Sequence, residues 1–348
     1  MKERMLYIMG IDWQWIYQRP QIFAEKLAQD YQVTVLFPRS IMTKNTSLPS
    51  VEGIEFRILW TFPYQEKNHL IGKLAEMFHA KIFKDINSFQ YIYVGYPLYA
   101  RYIPENYQGK IIYDCMDNHE ALYPDRPRAY RIVNQENLLI KRCDLLIASA
   151  KLLQDKIDKV AGYSKSVLIR NGVKIGEVCE VRKPVVRDRY SLGYIGTIAE
   201  WFDYELIENS LKIMDNIDYQ LVGPADRQVK RPGIVYHGKV SHEKLNDVVK
   251  DYDCLIMPFG VNEIVEAVDP VKLYEYIAFG KCIISIYYPE VERFKEFVYF
   301  YKDVDEYIGL LQELTKKGFP PKYSNEQQEK FLQQNTWEQR YEMLKQSI

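Results

Sequence analysis

The 348-residue chain has room for two domains of about 150 residues each, and its 47% hydrophobic and 27% charged residues exclude a disordered or fibrous chain and a disulfide-built miniature. With 46 Lys and Arg against 47 Asp and Glu, the formal charge is -1, so no global positive field draws in nucleic acid. The longest apolar runs, 254–259 and 282–288, are far shorter than the roughly 20 residues that cross a bilayer, and the run 5–9 is too short for a signal-peptide core, so a cytoplasmic chain is expected.

Short β-branched or aromatic runs alternate with longer amphipathic stretches, the signal for βα units and a parallel sheet. Strands are predicted at 5–9, 32–37, 54–59, 91–94, 110–113, 145–148 and 166–169, with helices over 18–29, 131–141 and 151–160. Residues 69–86 set Leu70, Ile71, Leu74, Met77, Phe78, Ile82 and Phe83 against Lys67, Lys73, Lys81 and Lys84. That pattern reads either as a crossover helix with its apolar face on the sheet or as a helix lying on an anionic membrane. After a charged, weakly patterned stretch over 177–189, the alternation restarts with strands at 191–195, 218–222, 234–237, 254–258 and 282–286 and helices over 204–214, 242–250 and 271–279. Residues 336–344 close the chain as an amphipathic helix opened by Thr336. The five cysteines contain no Cys-x-x-Cys, so free thiols are expected rather than a zinc site. The expected class is α/β, with one domain over 1–180, a second over 190–330, and the C-terminal helix 331–348 free to fold back on the first. Open α/β sheets bind ligands beyond the carboxyl ends of their strands, and the candidate residues lie in the loops there.

The loop Trp13-Gln14-Trp15-Ile16-Tyr17-Gln18-Arg19-Pro20 leads from the first strand into the first helix. Pro20 suits an early helical position, and a helix start offers free N–H groups to an anion. The loop also reads as a plain cap whose aromatics plug the sheet end. Tyr113-Asp114-Cys115-Met116-Asp117-Asn118-His119-Glu120 gathers carboxylates and an imidazole past a strand, where one could take a proton from a bound hydroxyl; turn and cap hydrogen bonds are their other use. Asp117 is the first candidate for a base and His119 the second. His119 has no His or Cys partner at helical spacing, so no metal set is expected.

In the second half, Gly196 and Thr197 follow a strand end, where backbone amides without bulk can face a diphosphate. Gly223, His237 and Lys239 stand at the ends of the next two strands and would border the same pocket. The segment Asp269-Pro270-Val271-Lys272-Leu273-Tyr274-Glu275 opens a helix with a cation and a carboxylate at i,i+3. As a surface pair they are worth only about 0.3–0.5 kcal/mol; at a helix start the lysine suits a diphosphate and the glutamate can accept ribose hydroxyls.

Together these segments resemble the GT-B glycosyltransferases, particularly bacterial cell-wall and exopolysaccharide enzymes of the teichuronic acid type, over nearly the whole chain. The resemblance implies two Rossmann-like domains facing a central cleft, acceptor in the first and nucleotide sugar in the second. It implies acceptor contacts from Trp13, Trp15 and Gln18 and catalytic roles for Asp117, His119 and Arg19. Donor contacts would come from Gly196, Thr197, Gly223, His237, Lys239, Val271, Lys272 and Glu275. Glu275 matches the second glutamate of the family's Glu-x7-Glu motif, but Ala267 stands where the first should be and Glu266 is off by one. The run 269–272 resembles instead the variant of GumK-like glucuronosyltransferases in which the lysine meets the phosphates, and this leaves retention and inversion both open. The implied function is metal-independent and cofactor-free transfer of a sugar from a nucleotide-diphosphate donor, a UDP-sugar, to a polysaccharide or lipid-linked glycan in bacterial surface polysaccharide synthesis. It would take place in the cytoplasm, with peripheral membrane contact through 69–86 and no nucleic-acid partner. Three alternatives compete: a metal-dependent GT-A enzyme using Asp303-Val304-Asp305 or Asp251-Tyr252-Asp253, a nucleotide-sugar epimerase, and a non-catalytic nucleotide-sugar-binding protein.

Overall fold

The computed structural model describes residues 2–44, 47–65, 67–123, 126–163, 165–174, 176, 178–241 and 244–348. Two units divide the chain, Met1–Arg170 with Tyr341–Ile348, and Asn171–Arg340.

Unit 1 is built on β1 (Arg4–Ile8), β2 (Gln32–Ser40), β3 (Ile54–Thr61), β4 (Tyr91–Val94), β5 (Lys110–Cys115), β6 (Leu145–Ala148) and β7 (Val167–Leu168). They pair in parallel in the order β3-β2-β1-β4-β5-β6-β7. In β1 every residue from Met5 to Ile8 is buried, a continuous apolar run of the kind a parallel sheet covered on both faces demands. The crossovers are α1 (Arg19–Asp30), α2 (His69–Ile82), α3 (His119–Leu122), α4 (Arg126–Arg142) and α5 (Lys151–Ala161). α1 turns Phe23, Ala24 and Leu27 inward, and α5 stops at Gly162, whose φ of 82° is the left-handed cap glycine adopts at little cost.

Unit 2 repeats the scheme with β8 (Tyr190–Ile195), β9 (Ile217–Val222), β10 (Ile234–Gly238), β11 (Cys254–Met257), β12 (Cys282–Ile286) and β13 (Tyr299–Tyr301). Their order is β10-β9-β8-β11-β12-β13, again parallel. Its helices are α6 (Tyr204–Ile213), α7 (Leu245–Val249), α8 (Val271–Ala278), α9 (Val304–Lys317) and α10 (Asn325–Gln334); the last helix, α11 (Trp337–Ser347), starts in unit 2 and belongs to unit 1 from Tyr341 onward.

The helix expected over 242–250 is described only as α7; residues 242 and 243, like residue 177 of the charged stretch, lie outside the described residues. The strand expected over 166–169 shortens to the two residues of β7. β13, α9 and α10 add to the predicted set: three residues show no alternation, and α10 buries only Gln328 and Leu332, too few to print a period. No helix among the described residues is long and apolar enough to cross a membrane.

Candidate functional site

In unit 2, β8, β9 and β10 reach their carboxyl ends at three consecutive positions of one site, Gly196, Gly223 and Gly238. The Gly196 N–H donates to the Val222 carbonyl and the Gly223 N–H to the Gly238 carbonyl, each at 2.8 Å. Gly196 and Gly223 have φ of 142° and 140°, a region that L side chains avoid. A Cβ on Gly223 would strike the Gly196 carbonyl, and one on Gly196 would strike Cε and Nζ of Lys272. Lys272, in the first turn of α8, therefore lies directly over the end of β8. Gly223→Ala is expected to cost at least about 1 kcal/mol of stability, measured by denaturant melts; a variant with wild-type stability would show that the turn tolerates a side chain.

The Lys272 ammonium is half-buried and makes no hydrogen bond to any described residue; its nearest aromatic neighbour is the Tyr194 ring, 5.7 Å away. Desolvation lowers its pKa from the ordinary lysine value, with Glu275 opposing. A desolvated cation at a helix start, beside strand ends that carry no side-chain bulk, is a place where an anion gains more than it would in water. Thr197 belongs to the same turn, its carbonyl accepting from the Tyr194 hydroxyl at 2.8 Å. The Tyr276 hydroxyl accepts from the Ile195 N–H at 3.0 Å and donates to the Ile256 carbonyl at 3.3 Å, tying α8 to the strand ends.

α8 is fixed at both ends by groups far away in sequence. Before it, the buried Asp269 carboxylate accepts from the Asn171 N–H at 2.6 Å and from the Tyr274 hydroxyl, and pairs with Arg293. Burial pushes this carboxyl up, with Arg293 opposing. At its other end, the Gln328 amide donates to the carbonyls of Ile277 at 2.7 Å and Ala278 at 3.3 Å, serving the acceptors that a helix terminus leaves open. His237 and Lys239 are exposed, and His237 is bonded to the Gln220 side chain at 2.7 Å. Val271 is the first residue of α8.

In unit 1, Arg19 is not an open cation. It is buried, with Nε and Nη2 on the two Asp114 oxygens at 3.0 and 2.8 Å and Nη1 on the Ile169 carbonyl at 2.8 Å. Asp114 accepts a further bond from the Tyr93 hydroxyl at 2.8 Å. The catalytic role expected of Arg19 gives way to that of a clamp between α1, β5 and the chain after β7, because its donors are already taken up by these partners. Trp13 is likewise half-buried, its ring centroid 4.7 Å from that of Phe56 in an edge-to-face contact, and Gln21 holds this loop by donating to the Trp13 and Ile16 carbonyls, each at 3.2 Å. Trp15 and Gln18 stay exposed.

Asp117 lies past the end of β5 with solvent access, yet enough protein surrounds it that desolvation pushes its carboxyl up, with His119 opposing and Asp114 and Glu136 adding to the rise. His119, at the start of α3, is buried and its Nδ1 has no hydrogen-bond partner among the described residues; burial lowers its pKa, which favours the neutral ring. Beneath them lies Glu136 of α4, buried, accepting from the Tyr113 hydroxyl at 2.5 Å with its other oxygen 3.7 Å from Lys156. Lys156 in turn donates to Asn118 at 3.0 Å, so Glu136 and Lys156 brace the loop that carries Asp117. Nothing in sequence singled them out, since a glutamate inside a polar helix reads as a solvated face.

One aspartate of each acidic pair in the competing metal-dependent reading has a structural use. Asp303 caps α9 by accepting from the Glu306 N–H at 2.9 Å. Asp253 is buried, accepts from the Ser191 N–H at 2.8 Å and pairs with Arg182 at 2.5 Å.

Two parallel sheets with interleaved helices, each unit carrying its loops of interest at the carboxyl strand ends, define a GT-B fold. No protein-family model matches the chain. Over 250 residues it is 25% identical to a Bacillus subtilis (strain 168) protein provisionally named the teichuronic acid biosynthesis glycosyltransferase TuaH; the match covers 65% of this chain and 62% of that protein, so it spans less than two thirds of the relative. Among solved structures it is similar to a sucrose-phosphate synthase of Thermosynechococcus elongatus, with a TM-score of 0.74, 13% identity, and 99% and 98% of the two chains covered. It is also similar to Anabaena HepE in complex with UDP and glucose, with a TM-score of 0.69, 12% identity, and 98% of each chain covered.

Proposed function

We propose that this chain is a glycosyltransferase that moves a sugar from a UDP-sugar to a polysaccharide or lipid-linked glycan acceptor in the synthesis of a bacterial surface polysaccharide, working in the cytoplasm. The observation that carries the proposal is the unpaired, desolvated Lys272 ammonium over the glycine-ended strands of unit 2. The likeness to a protein named for teichuronic acid synthesis and to a fold solved with UDP and glucose supports it.

The donor diphosphate lies against Lys272 and the amides of Thr197 and Val271, Gly196 and Gly223 leave room for it, and Glu275 accepts the ribose hydroxyls. His237 and Lys239 border the base through their backbone. In unit 1, Asp117 faces the acceptor hydroxyl, with Trp15 and Gln18 offering an exposed aromatic and amide to its sugar. In an inverting reaction the acceptor oxygen bonds to the anomeric carbon, its proton passes to Asp117, and the bond to the phosphate oxygen breaks with its electrons leaving on UDP. Lys272 and the amides meet that charge as it grows, so divalent metal is not required and EDTA leaves the rate unchanged. Arg19 positions the loop through Asp114, and His119 stays a neutral neighbour of Asp117.

Titration calorimetry with UDP tests the donor site. Lys272→Ala is expected to lose about 1.5–3 kcal/mol of binding, the worth of a hydrogen bond to a charged group. Because a diphosphate favours the charged amine, affinity is full below the lowered Lys272 pKa and weakens as pH rises through it. Equal affinity in Lys272→Ala, Glu275→Gln and the parent would reject the site. UDP release that needs an added glycan acceptor separates transfer from epimerisation, which needs none, and from binding without turnover.

A further inference from the structure

The Glu136 carboxylate on α4 is 1% exposed and only half engaged. One oxygen accepts from the Tyr113 hydroxyl, while Oε2 is buried with no hydrogen-bond partner among the described residues. Lys156 of α5 stands 3.7 Å from Oε2, too far for a hydrogen bond, and donates instead to Asn118 at 3.0 Å. The next residue, His119, is left in the same condition. Its ring meets Tyr96 edge to face, and its Nδ1 is buried without a partner among the described residues. Nε2, bonded to no described residue, is not sealed from solvent. α3, which His119 opens, packs on α4, and the Glu136 charge acts on the imidazole more strongly than those of Asp117 or Lys156. Orphaned buried polar atoms are rare and call for a reason. Here a nitrogen able to carry a proton and a carboxylate oxygen are orphaned together.

We infer that Glu136 is a positioning residue that acts through His119: its buried negative charge holds the imidazole proton on Nδ1 and leaves the Nε2 lone pair, not an N–H, on the open side near Asp117. A buried anion favours the tautomer that places an N–H in its field. An N–H on Nε2 would offer the Asp117 carboxylate a donor and make it a poorer base; with the proton on Nδ1 that donor is gone. Glu136 also acts on Asp117 directly, adding with Asp114 of β5 to the rise that His119 of α3 opposes. The Cys115 thiol beside them stays neutral, because burial pushes its pKa up. The kinetic consequence rests on the reading of Asp117 as the base; the tautomer does not.

Nitrogen-15 and carbon-13 magnetic resonance of the labelled parent protein, with the His119 signals assigned by their loss in His119→Asn, reads the tautomer without any turnover. The neutral ring protonated on Nδ1 is expected. A ring protonated on Nε2, or on both nitrogens, would overturn the inference and leave the transferase reading standing. In the transfer assay, Glu136→Gln should move the acid limb of the rate to lower pH, because Asp117 loses the charge that raised it. The plateau should fall by less than the about 10²-fold that loss of a general base costs, and UDP affinity should stay that of the parent. Glu136→Asp keeps the charge and should keep the parent's limb, a contrast that packing alone would not produce. A limb that stays in place in Glu136→Gln, or moves equally in both variants, also counts against the inference. Should no acceptor-dependent release of UDP be seen at all, the transferase reading falls, and the resonance measurement on the parent still decides the role of Glu136, even if Glu136→Gln folds poorly.

Discussion

Replacing Asp114 by alanine is expected to destabilise unit 1 by about 3–5 kcal/mol, because it strands the buried Arg19 guanidinium without its counter-ion. The two residues are 0% and 5% exposed, so water cannot step in as the missing partner. A loss of that size corresponds to a fall of roughly 6–20 °C in melting temperature for a unit of this length, readable by calorimetry or a urea melt. The double substitution Arg19→Met with Asp114→Leu should be milder than Asp114→Ala alone, since it removes both charges, but it still leaves the Tyr93 hydroxyl and the Ile169 carbonyl without their bonds. A loss under about 1 kcal/mol in Asp114→Ala would mean that the pair is far more hydrated than its geometry indicates.

The second large effect concerns chemistry rather than folding. Asp117→Asn keeps the shape of the side chain but removes its ability to accept a proton, and should slow transfer by about 10²–10⁴-fold while UDP affinity stays unchanged. The parent enzyme needs the carboxylate, whose pKa is raised, so its rate should fall as pH drops through a midpoint above the ordinary aspartate range. His119, with its lowered pKa, stays neutral at the pH of the assay and adds no second limb near neutrality. Wild-type turnover in Asp117→Asn would remove this residue from the chemistry; loss of UDP affinity without loss of rate would move it to the donor side.

The fold was legible wherever long-range burial imposes a local pattern. Continuous apolar runs such as 5–8 and 282–286 become strands buried on both faces, and the glycines at 196 and 223 mark the places where backbone must turn and come close. Lys272 and Glu275 were legible because a helix start, a cation and a carboxylate at i,i+3 form a local arrangement. What escaped were partnerships across sequence. Arg19 looked like an available cation, yet its partner is 95 positions away. Asn171 carries no spacing signal, yet its N–H and amide both serve Asp269. Glu136, Lys156, Arg293 and Gln328 are ordinary polar residues until the fold buries them, and no spacing rule marks a side chain whose significance lies in a contact made elsewhere. The stripe on α2 was visible, but only the structure tells that Ala75 and His79, not Leu70 and Met77, take the inner side.

Contacts made by α10 also set how short unit 2 can be. Every strand of that unit is complete by Tyr301, so a chain cut just afterwards would retain the sheet and its glycine turns. It would nevertheless lose the Gln328 amide and the Tyr323 hydroxyl, two of the donors that serve the last carbonyls of α8. The boundary of the unit is thus drawn by side chains well beyond the last strand, Tyr323, Gln328 and Phe331 among them.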